Sequence, residues 1–336
     1  SQMQLNEIWF LIVGLLFIGY FVLDGFDFGV GMALPFLGKD DTDRRVLINT
    51  IGPVWDLNET WVLVAGASLF AAFPEWYASL FSGFYLALML ILLALIARGV
   101  AFEYRGKSDS LRWRNTFDWM IVVGSALPAL LWGVAFANIV QGVPLNKDHI
   151  YTGNLLTLLN PYGLLGGLVT LTLFFTYGLV FVTLKTEGEI KDRARALANK
   201  VGWVATVFAA TFLLWTLWSN FNILTLTLVT CAALSLVSAL AMNVLKREGL
   251  SFSLMFFTVA TAVGALFSAL FPNVLPSTTN SAFSLTIDNA SSSDYTLTVM
   301  TWVVVICLPL VLIYQAWTYW VFRKRVSRKS IPAGSH

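Results

Sequence analysis

Nine long apolar segments divide this chain, and they decide what it can fold into. They fall at about residues 8–28, 50–72, 77–97, 117–139, 161–184, 197–219, 222–245, 252–271 and 297–322. Each is close to the roughly 20 residues that cross about 30 Å of hydrocarbon as a helix. The expected fold is therefore all-α, a single integral membrane domain over residues 1–336 with nine transmembrane helices. Composition agrees, since a chain that is 57% hydrophobic and 12% charged has too little polar surface for a soluble protein of this size. Two divisions rest on short turns: Pro74 in "FPEWY" and Asn220 in "WSNFN". An unbroken helix through either point would be too long for one crossing.

The basic residues orient the chain. With the N-terminus outside and the C-terminus in the cytoplasm, 20 of the 21 Lys and Arg residues fall on cytoplasmic segments and only Lys147 lies outside. That asymmetry obeys the positive-inside rule and supports an odd number of crossings. The first apolar run has no basic stretch before it, so it reads as a membrane helix rather than a cleavable signal. The two longest outside segments, 141–160 and 272–296, are rich in Asn, Ser, Thr, Gly and Pro and read as folded-back surface loops. A net charge of +2 says little about nucleic acid, but the basic residues are not gathered on one surface-like stretch, and no nucleic-acid partner is expected.

Few residues are left to carry chemistry. Apart from His336 in a terminal "GSH", the only histidine is His149, in an outside loop where solvation is its ordinary fate. Cys231 and Cys307 lie deep in apolar runs and read as small buried residues rather than a disulfide. With no CxxC pair, no nucleotide-binding glycine pattern and no clustered ligands, the chain is a poor candidate to hold a metal or haem by itself.

The carboxylates are more informative. Asp24 and Asp27 stand in "DGFDFGVG" at the expected end of helix one, and Asp56 and Glu59 stand in "GPVWDLNETW" near the start of helix two. Asp56 and Glu59 are three residues apart and share a helix face, and antiparallel helices bring all four acids to similar depth. A bare carboxylate in hydrocarbon is costly, so each must be paired, protonated or hydrated. Two readings stay open. In one, Asp24 ends a helix near water and the others are structural hydrogen-bond partners. In the other, Asp27, Asp56 and Glu59 form a proton path. Gly25, Gly29 and Gly31 suit either a close backbone approach or a departure from the helix. Arg98 either snorkels to the interface or joins Glu103 and Arg105 in an ionic network. Trp55, Trp61 and Trp76 suit packing, interfacial anchoring or the lining of a ligand route.

The stretches "DGFDFGVG", "GPVWDLNETW", "FSGFY", "ARGVAFEYR", "WRNTFDW", "GVAFANIVQGVP", "YTGNLLTLLNPYGLLGG", "LFPNVLPSTT" and "TLTVMTWVVVICLPLVLIYQAWTYW" follow one another along nearly the whole chain. Together they resemble subunit II of the cytochrome bd-type quinol oxidases. The resemblance implies two four-helix bundles plus one further helix, in a bacterial or archaeal plasma membrane. It implies a partner, subunit I, that carries a low-spin haem b, a high-spin haem b and haem d, while this chain ligates no haem. The complex would oxidise quinol, take protons from the cytoplasm and reduce dioxygen to water. Further partners by resemblance are a small accessory subunit, membrane lipid, the quinol pool and, in some members, a structural quinone.

Residue by residue, the resemblance places Asp27 and Asp56 on the proton route, with Glu59 beside them, and Trp61 near the entrance of an oxygen route. Arg98 would make a structural or quinone/lipid contact at the start of the basic segment after helix three. The chain departs from the pattern at Val54, Leu57 and Glu59, where relatives can carry His, Gly and Gln; Leu57 adds bulk and Glu59 an ionisable group. Two other classes accommodate intramembrane acids, a proton-coupled secondary transporter and a purely structural membrane subunit. No repeated half or pair of broken helices supports the transporter.

Overall fold

The computed structural model describes residues 4–331, so His336 lies outside them. The helices in chain order are α1 Leu5–Leu37, α2 Asp41–Ile51, α3 Trp55–Ala72, α4 Pro74–Gly83, α5 Tyr85–Tyr104, α6 Leu111–Gln141, α7 Leu155–Leu158 and α8 Pro161–Lys185. They continue with α9 Glu189–Ser219, α10 Ile223–Val244, α11 Glu248–Leu270, α12 Ile287–Ala290 and α13 Asp294–Val321. A two-stranded antiparallel sheet pairs β1 Asn273–Leu275 with β2 Leu285–Thr286.

Among the described residues, eight helices are long and apolar enough to cross a membrane: α1, α5, α6, α8, α9, α10, α11 and α13. Three expected segments need redrawing. The first does not end near residue 28, because α1 runs on through Gly31 and Pro35 to Leu37 and stops at Gly38. The 50–72 segment divides at Gly52–Val54 into the end of α2 and the 18-residue α3, whose first turns carry Asp56, Asn58 and Glu59. The 77–97 segment divides at Phe84, giving a short α4 with Pro74 at its start and a separate α5. The break at Asn220 is where the sequence places it.

Helix α1 is the centre of the fold and packs against α3, α6, α8 and α11. Its crossing with α8 is set by two glycines. A Cβ on Gly29 would lie 2.0 Å from the Phe174 carbonyl oxygen and 2.7 Å from the Gly178 Cα, so the two backbones touch directly. Of the two uses open to the glycines, close packing is the one realised at Gly29, and the helix does not depart there. Helix α13 is attached mainly to α1 and α3. Its only buried residues are Leu297, Gln315 and Thr318, two of them polar in a helix whose other side chains are mostly apolar and mostly exposed.

The two ends of the bundle are closed differently. At one end, the 141–160 and 272–296 loops interlock: the Val143 N–H donates to the Pro276 carbonyl at 3.0 Å, and the Thr278 N–H to the Val143 carbonyl at 3.0 Å. His149 belongs to this closure rather than to solvent. Its ring Nδ1 lies 2.7 Å from the Phe283 carbonyl oxygen, and its own carbonyl accepts from the Ser79 hydroxyl. The other end is ionic. Arg105 is buried and bonded to Asp118 and Asp41, while Arg328 bridges Asp40 and Asp43. The tail after α13 is thereby strapped down, with the Val326 N–H donating to the Lys185 carbonyl at 2.6 Å. Hydrogen bonds from the Arg328 guanidinium and the Asp43 N–H hold the Asp40 carboxyl below the ordinary carboxylate range. Cys231 and Cys307 are free and exposed on this chain, against the expectation of burial. They sit on outward faces of α10 and α13 rather than in this chain's core.

Candidate functional site: a buried carboxyl–guanidinium cluster

Asp24 and Asp27 are three residues apart on α1 and share a face. That face meets α3, which contributes Asn58 and Glu59, and α5, which contributes Arg98. Asp24, Asp27, Asn58 and Arg98 are all 0% exposed. Arg98 donates from Nε to the Ser125 hydroxyl of α6 at 3.2 Å and from Nη1 to the Glu59 carboxylate at 3.4 Å. The same Nη1 lies 3.9 Å from Asp24 Oδ1. Its guanidinium carbon sits 5.1 Å from the ring centroids of both Phe28 and Phe102, so the cation is held between two aromatic rings.

Two expectations are corrected here. Arg98 does not snorkel; its guanidinium points into the bundle. Asp24 does not finish a helix near water; it lies well inside α1 and faces Arg98. Sequence order suggests an interface because Asp and Gly disfavour helix interiors, but tertiary partners override that propensity.

Asp27 is held by one bond of good geometry. Asn58 Nδ2 donates to Asp27 Oδ2 at 2.7 Å, and also reaches the Leu23 carbonyl oxygen at 3.3 Å. Asn58 Oδ1 accepts from Gln315 Nε2 at 3.1 Å and from the Tyr319 hydroxyl at 2.5 Å, both on α13. Trp61 Nε1 donates to Gln315 Oε1 at 2.5 Å. Buried polar groups are nearly always paired. Among the described residues, however, both Asp24 oxygens, Asp27 Oδ1, the Tyr20 hydroxyl and Arg98 Nη2 find no partner of good hydrogen-bond geometry within the chain, although Tyr20 and Asp27 both lie against the Asp24 carboxyl.

The four acids and Trp61 are therefore not equivalent. Asp24 and Asp27 are fully buried, and the Glu59 side chain is 19% exposed on its way to Arg98. Asp56 is exposed in the first turn of α3, where the helix N-terminus favours a carboxylate. The group that touches Asp27 across the helices is Asn58 rather than Asp56. Trp61 is tied to α13 through Gln315. It is absent from the walls of the nearby apolar cavity of about 390 Å³, which Phe17, Val62, Leu88 and Phe267 help to line.

Sequence reasoning missed Asn58, Gln315, Tyr319, Ser125 and Tyr20. One signal was present. Gln315 is an amide inside an apolar membrane helix, and such residues seek a polar partner. Among the described residues, no group of three or more His, Cys, Asp or Glu could hold a metal ion.

The cytochrome bd terminal oxidase subunit II family description matches residues 5–322. The chain is 43% identical over 331 residues to the cytochrome bd ubiquinol oxidase subunit 2 of Bacillus subtilis, covering 97% of this chain and 98% of the relative. It is 39% identical over 370 residues to the cytochrome bd-I ubiquinol oxidase subunit 2 of Escherichia coli K12, covering 99% and 98%. A chain from the solved structure of the bd oxidase of Geobacillus thermodenitrificans shares the fold, with a TM-score of 0.78 at 16% identity over 96% of this chain and 100% of that one. With its family match, near-full-length relatives and shared fold, the chain belongs to the cytochrome bd terminal oxidase subunit II family.

Proposed function

We propose that this chain is the non-haem-ligating subunit of a quinol:dioxygen oxidoreductase, stabilising the complex and passing protons from the cytoplasm toward the site of oxygen reduction. Its relatives are named as subunits of ubiquinol oxidases, which supports the assignment to such a complex. The partner is a subunit I bearing a low-spin haem b, a high-spin haem b and haem d. A small accessory subunit, membrane lipid and a structural quinone complete the expected surroundings. In this reading α3 is the ninth crossing. Helices α1, α3, α5 and α6 form one four-helix bundle, α8 to α11 the other, and α13 is the additional helix. The N-terminus is outside, and the ionic end with Asp40, Asp41 and Asp43 is cytoplasmic.

One observation carries the proton role: the acids run from exposed to buried, and the inner ones lie with a single buried cation. Asp56 is exposed, Glu59 partly covered, and Asp24 and Asp27 fully enclosed with Arg98. Two enclosed carboxyls and a third partly covered one, with a single guanidinium among them, cannot all be charged without leaving negative charge uncompensated in a poor solvent for it. Such a cluster can take up and release protons, which a single satisfied ion pair cannot. Asp27, Asp56 and Glu59 are the proton-carrying residues of this proposal, and Arg98 tunes and braces them. Trp61 keeps its assignment to the oxygen route, beside the apolar cavity between α1, α3, α5 and α6.

The test is Asp56→Asn and Asp27→Asn in the intact complex, with oxygen consumption expressed per haem-loaded molecule. Slower turnover at unchanged haem content is expected. Equal turnover per loaded complex rejects proton delivery, while haem loss with normal residual turnover assigns these residues to assembly alone.

A further inference from the structure

The hydrogen bonds around Asn58 have only one self-consistent direction. An indole N–H can donate but cannot accept. Trp61 Nε1, at 2.5 Å from Gln315, must therefore face the amide oxygen of Gln315. That turns Gln315 Nε2 toward Asn58, where at 3.1 Å it requires an acceptor, and Asn58 must present Oδ1. Asn58 Nδ2 is then left for Asp27 Oδ2 at 2.7 Å and the Leu23 carbonyl oxygen at 3.3 Å.

The far end confirms the direction independently. A backbone carbonyl only accepts, so the Asn58 atom facing Leu23 must be the NH₂ group. A flipped Asn58 would set its oxygen against the Leu23 carbonyl and its NH₂ against that of Gln315. Tyr319 fits the same polarity by donating its hydroxyl to Asn58 Oδ1 at 2.5 Å. The orientation is thus fixed by donor-only and acceptor-only groups at the two ends.

We infer that Trp61, Gln315 and Asn58 form a relay of fixed polarity that makes Oδ1 the proton-bearing oxygen of Asp27, with Asn58 as its positioning residue. Oδ2 is the better acceptor for the Asn58 hydrogen as a carbonyl than as a hydroxyl oxygen, so the bond from Asn58 favours a proton on Oδ1. That oxygen receives no hydrogen from a fixed donor of the chain among the described residues, so it is the one available for exchange, with the Asp24 carboxyl as its neighbour. The relay also assigns a task to α13. Its buried Gln315 and the neighbouring Tyr319 reach across to an acid on α1 through a residue of α3. The functional meaning of the relay rests on the proton-route proposal, but its geometry does not.

Infrared difference spectroscopy on the intact complex tests it, using the carbonyl stretch of protonated Asp27, identified by its loss in Asp27→Asn. In the parent protein that carbonyl is Oδ2 and is hydrogen-bonded. Asn58→Leu should move the band to higher wavenumber, and Gln315→Leu and Trp61→Phe should broaden it or move it part of the way, because Asn58 then keeps its direction only through Leu23 and Tyr319 and is held less firmly against Asp27. If Asn58→Leu fails to assemble, Gln315→Leu on the peripheral α13 still decides. An Asp27 band that keeps its position and width in Gln315→Leu and Trp61→Phe overturns the relay. So does the absence of an Asp27 band at every pH. A shifted band together with normal turnover in Asp27→Asn would uphold the relay and reject the proton route instead.

Discussion

Adding one methyl group at Gly29 should damage both the fold and the site. The new Cβ would lie 2.0 Å from the Phe174 carbonyl oxygen, about 1.4 Å short of the 3.4 Å at which ordinary contact begins. It would also meet the Gly178 Cα and N at 2.7 Å. These obstacles are backbone atoms of a packed helix, so no rotamer change can relieve them, and α1 must move away from α8. Overpacking of a well-filled interior costs about 1–3 kcal/mol, with backbone clashes toward the upper end. Alanine's better helix propensity returns at most about 1 kcal/mol. The net expectation for Gly29→Ala is a loss of about 2 kcal/mol. Because Asp27 is two residues away, the same displacement pulls Oδ2 off the 2.7 Å bond from Asn58 and slows turnover. Gly249→Ala is the matched control, since nothing lies within 4 Å of a Cβ there. Thermal melting of the purified complex, with turnover per haem, measures both effects. If Gly29→Ala melts and turns over like Gly249→Ala, the direct α1–α8 backbone contact is refuted.

Three further outcomes are expected. Arg98→Gln removes the one cation inside the cluster and should cost about 3–5 kcal/mol, less whatever Asp24 and Glu59 recover by taking up protons. Its readout is a reduced yield of haem-loaded complex, and an unchanged yield would show that the guanidinium braces nothing. Asp118→Ala strands Arg105, which is buried and keeps only Asp41 at 2.7 Å; a loss of about 3 kcal/mol in a denaturant titration is expected. The tail strap should weaken in acid. The Asp40 carboxyl is depressed in the folded protein, so its contribution is fully present above the ordinary value of about 3.9 and is lost as pH falls through the lower folded value. Protease cleavage near Arg323 should therefore stay slow from neutral pH down to about 4, then accelerate below it. Since Arg328 and Asp40 are both more than half exposed, salt should weaken the strap as well.

Much of the architecture was readable along the chain because it depends on local properties. Apolar runs of membrane length, turn residues at Asn220 and the concentration of Lys and Arg on alternate segments needed no knowledge of which helix meets which. The same holds for the candidate ionisable residues. Asp27, Glu59 and Arg98 stood out because ionisable groups are expensive in hydrocarbon, whatever they contact. What remained hidden was pairing. Nothing local says that Asp24 lies inside the bundle rather than at its rim, because a helix carries a carboxylate at either place if a partner waits there.

The partners themselves come from far along the chain. Gln315 and Tyr319 are 257 and 261 residues from Asn58, and the two glycines that set α1 against α8 are far apart in sequence. The sequence by itself determined that this is a multi-pass helical membrane protein with a few costly acids at one level. Only the tertiary structure decided which of those acids is enclosed and that Asn58, rather than Asp56, holds Asp27. The physical reason is that burial cost is a property of a residue, whereas hydrogen-bond direction is a property of a pair.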